Sequence, residues 1–301
     1  MILSASRRTD IPCYYSEWFM NRVKEGYALV KNPMNPAQVS RVPIIPEKTD
    51  CIVFWTKDPA NMMDKLPQLA QMGFHFYFQF TLTPYDHEIE KNLRSKREII
   101  RTFRKLSDRI GKERVLWRYD PVLINDRLTV DYHINKFTEF CRELQGYTHI
   151  CTVSFVDIYS KLSRQEKAGL IREMGEAEMH GIASGFSSIG REYGIELRAC
   201  CEKLDLRGDG IHPAACIDKD IVEHILGHSI DAGKDKNQRI GCGCIKSMDI
   251  GIYNTCKNGC IYCYANYSEA SIHRNYRSHI PTSPILIGDV NKDWVIIERK
   301  L

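Results

Sequence analysis

The stretch Thr255–Tyr264 reads Thr-Cys-Lys-Asn-Gly-Cys-Ile-Tyr-Cys-Tyr, which places Cys256, Cys260 and Cys263 in a C-x3-C-x2-C spacing. Three thiolates on one short loop can each bind one iron of a cubane [4Fe–4S] cluster, so that the fourth iron has no protein ligand. That iron can take the amino and carboxylate groups of S-adenosylmethionine. One electron then cleaves the sulfonium, and the resulting 5′-deoxyadenosyl radical abstracts hydrogen from a substrate.

A structural zinc site is the alternative interpretation of these cysteines. Zinc prefers four ligands, often as two C-x2-C pairs, and Cys242 and Cys244 could complete such a site with Cys260 and Cys263. This arrangement leaves Cys256 without a role, whereas an iron–sulfur cluster uses every cysteine of the motif. The spacing therefore favours the cluster and leaves zinc as the open alternative.

Five more cysteines lie between positions 200 and 244, and so many within a short segment indicate a functional role such as metal binding. The glycine of Cys242-Gly243-Cys244 lets the backbone come close to a metal. Neighbouring residues of a strand face opposite sides, so only one of Cys200 and Cys201 is expected to be a ligand. We predict an auxiliary [4Fe–4S] cluster, with zinc on the same residues as the alternative. Its ligands are Cys201, Cys216, Cys242 and Cys244.

The elements that position these cysteines alternate between short apolar runs and longer helical patterns. Such alternation predicts an α/β fold with a parallel sheet, either doubly wound or a barrel. The predicted strands are Ile2–Ser6, Cys51–Lys57, His75–Thr83, Val115–Ile124, His149–Ile158, Ile195–Cys201 and Met248–Asn254. The predicted helices are Tyr15–Glu25, Pro59–Met72, Ser95–Ile110, Val130–Leu144, two within Ser163–Tyr193, Lys219–Leu226 and Ala265–Tyr276.

Six of the predicted strands end in polar or charged residues. In a barrel of parallel strands, function gathers at these carboxyl ends. The pair Arg7-Arg8 could hold a phosphate or carboxylate there, or pair with Asp10 or Asp120. The side chains expected to point into the cavity are those of Asp120, Asp157, Arg198 and Glu202.

Composition limits the class of protein. The 301 residues are 43% hydrophobic with a net charge of +4, and no apolar stretch approaches the ~20 residues that cross a bilayer. The N-terminus lacks the pattern of a secretory signal, so a cytoplasmic protein without structural disulfides is expected. The four scattered cysteines are then buried thiols that act as small hydrophobes. They are Cys13, Cys51, Cys141 and Cys151.

The C-terminal cysteine motif, together with the N-terminal segment Ser6-Arg7-Arg8-Thr9-Asp10, resembles the bacterial domain of unknown function 1848 (DUF1848) family over essentially the whole chain. That family is regarded as related to radical S-adenosylmethionine enzymes. The resemblance therefore implies a [4Fe–4S] cluster and S-adenosylmethionine as cofactors, and it leaves the substrate open.

The cluster loop is also similar to that of the spore photoproduct lyases, which have tyrosines beside the last cysteine, as Tyr262 and Tyr264 are here. By this resemblance Thr9 and Lys57 fall where those enzymes contact S-adenosylmethionine. An ammonium group at a strand end suits a carboxylate, although Lys57 could also be a surface lysine that closes a strand. Arg7 stands where the lyases have their hydrogen-donating cysteine, so their repair reaction is not expected.

The order of elements differs from that of typical radical S-adenosylmethionine enzymes, which begin with the cluster-bearing strand. We therefore predict a partial (β/α)6-type TIM barrel of the radical S-adenosylmethionine kind, circularly permuted so that this first strand is at the C-terminus. The strand Met248–Asn254 should then lie beside Ile2–Ser6. All of 1–301 is assigned to one barrel domain, within which 200–247 is the auxiliary-cluster segment and 248–280 supplies the strand, loop and helix of the first cluster.

A radical enzyme of this kind needs a reducing electron donor such as flavodoxin or ferredoxin as its partner, and its substrate is not encoded in any motif. Two other functions stay open. One is a non-enzymatic iron–sulfur electron carrier, although such a protein does not need polar residues at its strand ends. The other is a zinc-stabilised nucleic-acid-binding protein, which would need a dense basic patch with exposed aromatic residues. Neither nucleic acid nor membrane is indicated by the composition.

Overall fold

The computed structural model describes residues 1–32, 35–158, 160–239 and 241–298. Its strands are β1 (Ile2–Ala5), β2 (Tyr27–Asn32), β3 (Asn35–Pro43), β4 (Cys51–Thr56), β5 (Phe76–Thr81), β6 (Val115–Val122), β7 (Ile150–Phe155), β8 (Glu196–Cys200), β9 (His212–Ala214), β10 (Ser247–Asp249) and β11 (Val295–Glu298). Its α-helices are α1 (Ile11–Tyr14), α2 (Ser16–Glu25), α3 (Leu66–Gln71), α4 (Lys96–Ile110), α5 (Val130–Leu144), α6 (Ser163–Lys167), α7 (Glu176–Glu192), α8 (Lys219–Leu226) and α9 (Glu269–Arg277). Short 3₁₀ turns cover Pro46–Lys48, Ala60–Met62, Lys112–Arg114, Ser160–Leu162 and Arg207–Asp209.

Eight of the described strands form one parallel sheet in the order β10-β1-β4-β5-β6-β7-β8-β9. In β1, Leu3 is in register with Ile52 of β4 on one side and with Met248 of β10 on the other. The predicted α/β fold with a parallel sheet is therefore confirmed, and so is the predicted neighbour of the first strand. Closure into a barrel is not shown, because in this sheet β9 and β10 are edge strands that do not pair with each other.

A second sheet was not predicted from the sequence. It consists of β2 paired antiparallel with β3, and of β11 paired parallel with β3. The last described strand thus adds to a hairpin near the start of the chain, a pairing that no local pattern indicates.

One face of the large sheet packs against helices through aromatic side chains. Trp117 of β6 stacks on Phe137 of α5 with ring centroids 5.0 Å apart, and Phe137 stacks in turn on Phe186 of α7 at 4.0 Å. These rings are excluded from water. Burial of such large apolar surfaces is the main force that holds this layer to the sheet.

The chain segment that follows β9 covers the opposite face. Gln79 of the central strand β5 donates from Nε2 to the carbonyl of Cys216 at 2.7 Å, and Val53 and Tyr77 pack in the same cluster as Ile217. Because both faces are covered, the strands can be apolar on both sides, as their near-continuous hydrophobic runs indicated.

Two predicted elements are interrupted or much shorter in the structure. Within Pro59–Met72 only Ala60–Met62 and Leu66–Gln71 are helical, because Pro67 has no N–H group to continue a helix from the preceding turn. Of Met248–Asn254, only the part within Ser247–Asp249 is strand. None of the helices in the described part of the chain combines the length and apolar character that a bilayer crossing requires.

Candidate functional site

The loop that carries Cys256, Cys260 and Cys263 follows β10 and is fixed by the connection between β5 and α4. Cys260 forms an antiparallel bridge with Glu90, and the amide of Ile261 donates to the carbonyl of Ile89 at 3.0 Å. Gly259 has φ +70°, and a Cβ atom there would lie 3.1 Å from Cβ of Lys91. The loop therefore needs glycine at this position to approach its neighbour so closely.

The three thiols of the loop lie close enough together to influence one another electrostatically. Cys256 is buried, while Cys260 and Cys263 are partly exposed. Burial raises the pKa of Cys260 to about 12, against the opposing effect of the Lys57 ammonium group. Metal binding would release the proton of such a thiol, because the thiolate is the ligand.

Glu90 is the centre of a polar network beside the loop that sequence reasoning missed. Its buried carboxylate accepts hydrogen bonds from Lys57 Nζ at 2.7 Å, Thr83 Oγ1 at 2.7 Å, Lys96 and the hydroxyl of Tyr262. Although burial raises its pKa, the ammonium groups of Lys57 and Lys96 outweigh this effect and bring the pKa to about 2. Lys57 is thus a buried member of the site and does not close its strand at the surface.

Asp10 ties three segments to one another. Its carboxylate accepts from the backbone amide of Cys13, from that of Lys57 at 2.8 Å, and from Asn258 Nδ2 in the cluster loop at 3.1 Å. The first contact caps α1, the second fixes the end of β4, and the third holds the cysteine loop. Tyr14 donates to the same asparagine at 2.8 Å, so the loop is held from two sides.

Asp249, the last residue of β10, explains the position of the N-terminal serine–arginine segment. It accepts hydrogen bonds from the hydroxyls of Ser4 and Ser6, from the amide of Arg7 at 2.8 Å, and from the amide of Gly251 at 2.9 Å. Tyr264 lies at the same junction, with its hydroxyl donating to the carbonyl of Arg7 at 2.6 Å.

Thr9 is buried, and its hydroxyl oxygen has no hydrogen-bond partner among the described residues. A buried polar atom without a partner is costly and calls for an explanation, such as a ligand. The unpaired hydroxyl belongs to one of the residues that the resemblance to the lyases implies as a contact to S-adenosylmethionine.

Five cysteines lie near one another at the end of β8, after β9 and before β10. Cys200 Sγ is 2.7 Å from Cys216 Sγ, and the amide of Ile217 donates to Cys244 Sγ at 3.3 Å. Cys201 is partly exposed with φ +57° and lies near buried Cys242. Of the cysteines predicted to be structural, Cys51, Cys141 and Cys151 are buried and Cys13 is half-buried.

Four polar side chains were expected to share one cavity. Asp120 accepts from Arg118 Nε at 3.1 Å and from the hydroxyl of Ser154, while Glu202 accepts from the amide of Phe155 at 3.0 Å. Burial raises the pKa of Glu202 to about 7. The other two are engaged elsewhere: Asp157 forms an exposed ion pair with Arg239, and Arg198 pairs with Glu196 and Asp218.

No group of three or more His, Cys, Asp or Glu side chains in the described ranges has the arrangement of a metal-ion site. The cysteine assignments to clusters therefore stay predictions. Sequence analysis overlooked Glu90, which lies in the connection between β5 and α4, and Asp249, the last residue of β10. Several of their partners come from distant parts of the chain, so the sequence could not identify these contacts.

A family model described as "Domain of unknown function (DUF1848)" matches residues 2–265. No curated protein matches the chain. A solved structure similar to this chain is described as that of a "putative alpha-L-fucosidase" from Bacteroides thetaiotaomicron VPI-5482; the two share 13% sequence identity over 77% of this chain and 84% of that chain, with a TM-score of 0.26. So low a score carries no argument about function.

Proposed function

The chain belongs to the DUF1848 family, and from this premise we propose that it is a radical S-adenosylmethionine enzyme. The observation that carries the proposal is the loop with Cys256, Cys260 and Cys263, which is fixed over the carboxyl ends of β4 and β5 with its thiols near one another. When bound, a [4Fe–4S] cluster with one open iron supplies the electron that cleaves S-adenosylmethionine to a 5′-deoxyadenosyl radical.

The position of β10 supports a permuted barrel. In a radical S-adenosylmethionine barrel the cluster loop follows the first strand, and the second strand lies parallel beside it. Here β10 precedes the loop and pairs in parallel with β1, which supports the assignment of β10 as the first strand. The segments beyond the sheet edges also approach each other, since the amide of Ile245 donates to the carbonyl of Ile217 at 3.1 Å.

The four residues predicted to contact S-adenosylmethionine contribute in different ways. The buried hydroxyl of Thr9 is unpaired and is available for a direct hydrogen bond to the cofactor. Lys57 and Tyr262 both bind Glu90, so this carboxylate holds their positions beside the loop. Tyr264 binds the backbone of Arg7 and joins the loop to the end of β1.

Substrate would be held by polar side chains on the face of the sheet opposite the helices. Asp120 is oriented by Arg118 and Ser154, and Glu202, with a pKa of about 7, can hold or release a proton near neutral pH. A radical reaction there is protected from water by the segment that covers this face. We place this reaction in the cytoplasm, where thiols stay reduced.

An acidic electron donor such as flavodoxin or ferredoxin would dock in a basic surface cavity of about 710 Å³ between α4 and α5. Arg97, Arg101 and Arg142 line it and form no ion pair with any residue in the described ranges. Lys96 connects this cavity with the cysteine loop. Its side chain lines the cavity and binds Glu90, which forms a backbone bridge with Cys260. The positive surface thus lies next to the proposed cluster and suits a negatively charged partner.

Anaerobic reconstitution with iron and sulfide tests the proposal. The reduced protein should convert S-adenosylmethionine to 5′-deoxyadenosine, and Cys260→Ala should lose this activity. Cys13→Ala is the matched control, because Cys13 lies in α1 near the same loop but outside the motif. Iron uptake without any 5′-deoxyadenosine would instead indicate an electron carrier, and colourless protein with stoichiometric zinc would refute the cluster.

A further inference from the structure

Cys200, Cys216 and Cys244 come from three separate stretches and meet in one buried place. Cys200 ends β8, Cys216 follows β9, and Cys244 precedes β10. The sulfur of Cys216 is 2.7 Å from that of Cys200, and Cys244 packs in the same buried cluster. Cys242 is buried next to them, one glycine away from Cys244. Local sequence does not force such an encounter, so the fold itself brings these thiols together.

Two arginines face the same thiols. Arg118 Nη1 donates to the sulfur of Cys216 at 3.3 Å, and its guanidinium also binds Asp120. Arg7 lies on the indole ring of Trp55 at 5.0 Å, and Arg118 lies at 5.4 Å from the same ring. Both cations are therefore packed around one aromatic side chain beside the cysteine group.

No carboxylate in the described residues forms a hydrogen bond with the guanidinium of Arg7. Its only hydrogen bond in the described residues is a long one of 3.5 Å from Nη1 to the hydroxyl of Ser247, and its buried Nη2 has no partner. Arginine stays protonated in proteins, and a buried charge is costly unless an opposite charge lies near it. The acidic groups that act on it are Cys244, Cys216, Asp249 and Tyr264, and Asp249 already accepts four hydrogen bonds.

We propose that Cys200, Cys216, Cys242 and Cys244 bind a second metal centre, a [4Fe–4S] cluster whose negative charge is offset by Arg7 and Arg118. A four-iron cluster with four thiolates carries about two negative charges, which two guanidinium groups balance. The set differs from the sequence prediction in one ligand, since Cys200 replaces Cys201. Cys200 is preferred because its sulfur makes the contact to Cys216, whereas Cys201 is partly exposed and has a left-handed backbone conformation.

Iron fits this group better than zinc. The four ligands come from three stretches and contain no C-x2-C pair, the spacing common in structural zinc sites. A cluster spreads its ligands over four irons, so the paired thiols must separate as it binds. The Cys-Gly-Cys turn allows this movement, because Gly243 has no side chain to obstruct it.

The test uses a protein whose first site is removed by Cys256→Ala, Cys260→Ala and Cys263→Ala together. After anaerobic reconstitution this variant should hold about four irons per chain, against about eight in the unmodified chain. Adding Cys200→Ala or Cys216→Ala should remove the remaining iron. Adding Cys201→Ala should not, and neither should Cys51→Ala, the matched control from the same apolar cluster.

A second measurement does not depend on the folding of these cysteine variants. Arg118→Gln should shift the reduction potential of the second cluster to more negative values, because it removes a positive charge and a hydrogen bond to a ligand sulfur. Arg118→Lys keeps the charge and should show a smaller shift. Each of three results would overturn the proposal. They are absence of iron from the triple variant, one zinc per chain, and equal iron loss in Cys201→Ala and Cys200→Ala. Failure of 5′-deoxyadenosine formation would leave these results unaffected.

Discussion

His133 provides a measurable link between pH and the part of the fold that carries Arg118 and Asp120. It lies in α5 with no exposed surface, its Nε2 donating to the carbonyl of Leu123 at 2.8 Å and its Nδ1 accepting from the hydroxyl of Tyr119 at 2.7 Å. A carbonyl can only accept, so the proton of the neutral ring is on Nε2. Burial lowers the pKa of His133 to about 4, against a small opposing effect of the Leu123 carbonyl.

The magnitude follows from the difference between folded and unfolded pKa. The unfolded value is about 6.5, and a lowered folded pKa means that the stabilisation is fully present above pH 6.5 and is lost as the pH falls towards 4. At about 1.4 kcal/mol per pKa unit, the lowered value corresponds to about 3 kcal/mol of unfolding free energy.

Urea unfolding of the metal-free chain, followed by circular dichroism, measures this effect. The stability advantage of the unmodified chain over His133→Asn should decrease by about 3 kcal/mol between pH 7 and pH 4. His87→Asn is the control, because His87 is exposed and its ring has no burial to lose. A constant difference between the unmodified chain and His133→Asn across this range would refute the reasoning.

Three further predictions concern the site. Gly251→Ala would place a Cβ atom 2.0 Å from Ser6 Oγ and should lower the free energy of unfolding in urea by about 1–3 kcal/mol. Gly208→Ala is the control, because a Cβ atom there meets open space. An equal loss of stability in Gly208→Ala would contradict the argument. Thr9→Val should weaken binding of S-adenosylmethionine by about five-fold without loss of stability, since the hydroxyl has no partner in the protein, and Thr9→Ser should restore binding. The double variant Arg97→Glu/Arg101→Glu should slow 5′-deoxyadenosine formation when flavodoxin is the reductant but not when dithionite is. Lys167→Glu, at an exposed position, is the control. An equal loss of activity with dithionite would exclude a role of the two arginines in docking.

The sequence predicted most elements of the large sheet because their signals are local. Helices α5 and α8 have the predicted bounds, and the predicted strands other than Met248–Asn254 are longer than the observed ones by only a few residues at their ends. The spacing of Cys256, Cys260 and Cys263 indicated a metal-binding loop on residue types alone. Helix α9 begins at Glu269 instead of Ala265, because the carbonyl of Ala265 accepts from Asn254 and Ser268 caps the helix.

Only the tertiary structure decided which distant residues meet. Glu90 accepts hydrogen bonds from Lys57 and Tyr262 of other segments, and Asp249 accepts them from a serine–arginine segment more than 240 residues away in sequence. The physical reason is that side-chain periodicity fixes which face a residue occupies but not which strand lies beside it. That neighbour depends on the order of strands in the sheet, and here the order places the last strand of the sheet, β10, against the first, β1, and brings Cys200, Cys216 and Cys244 together.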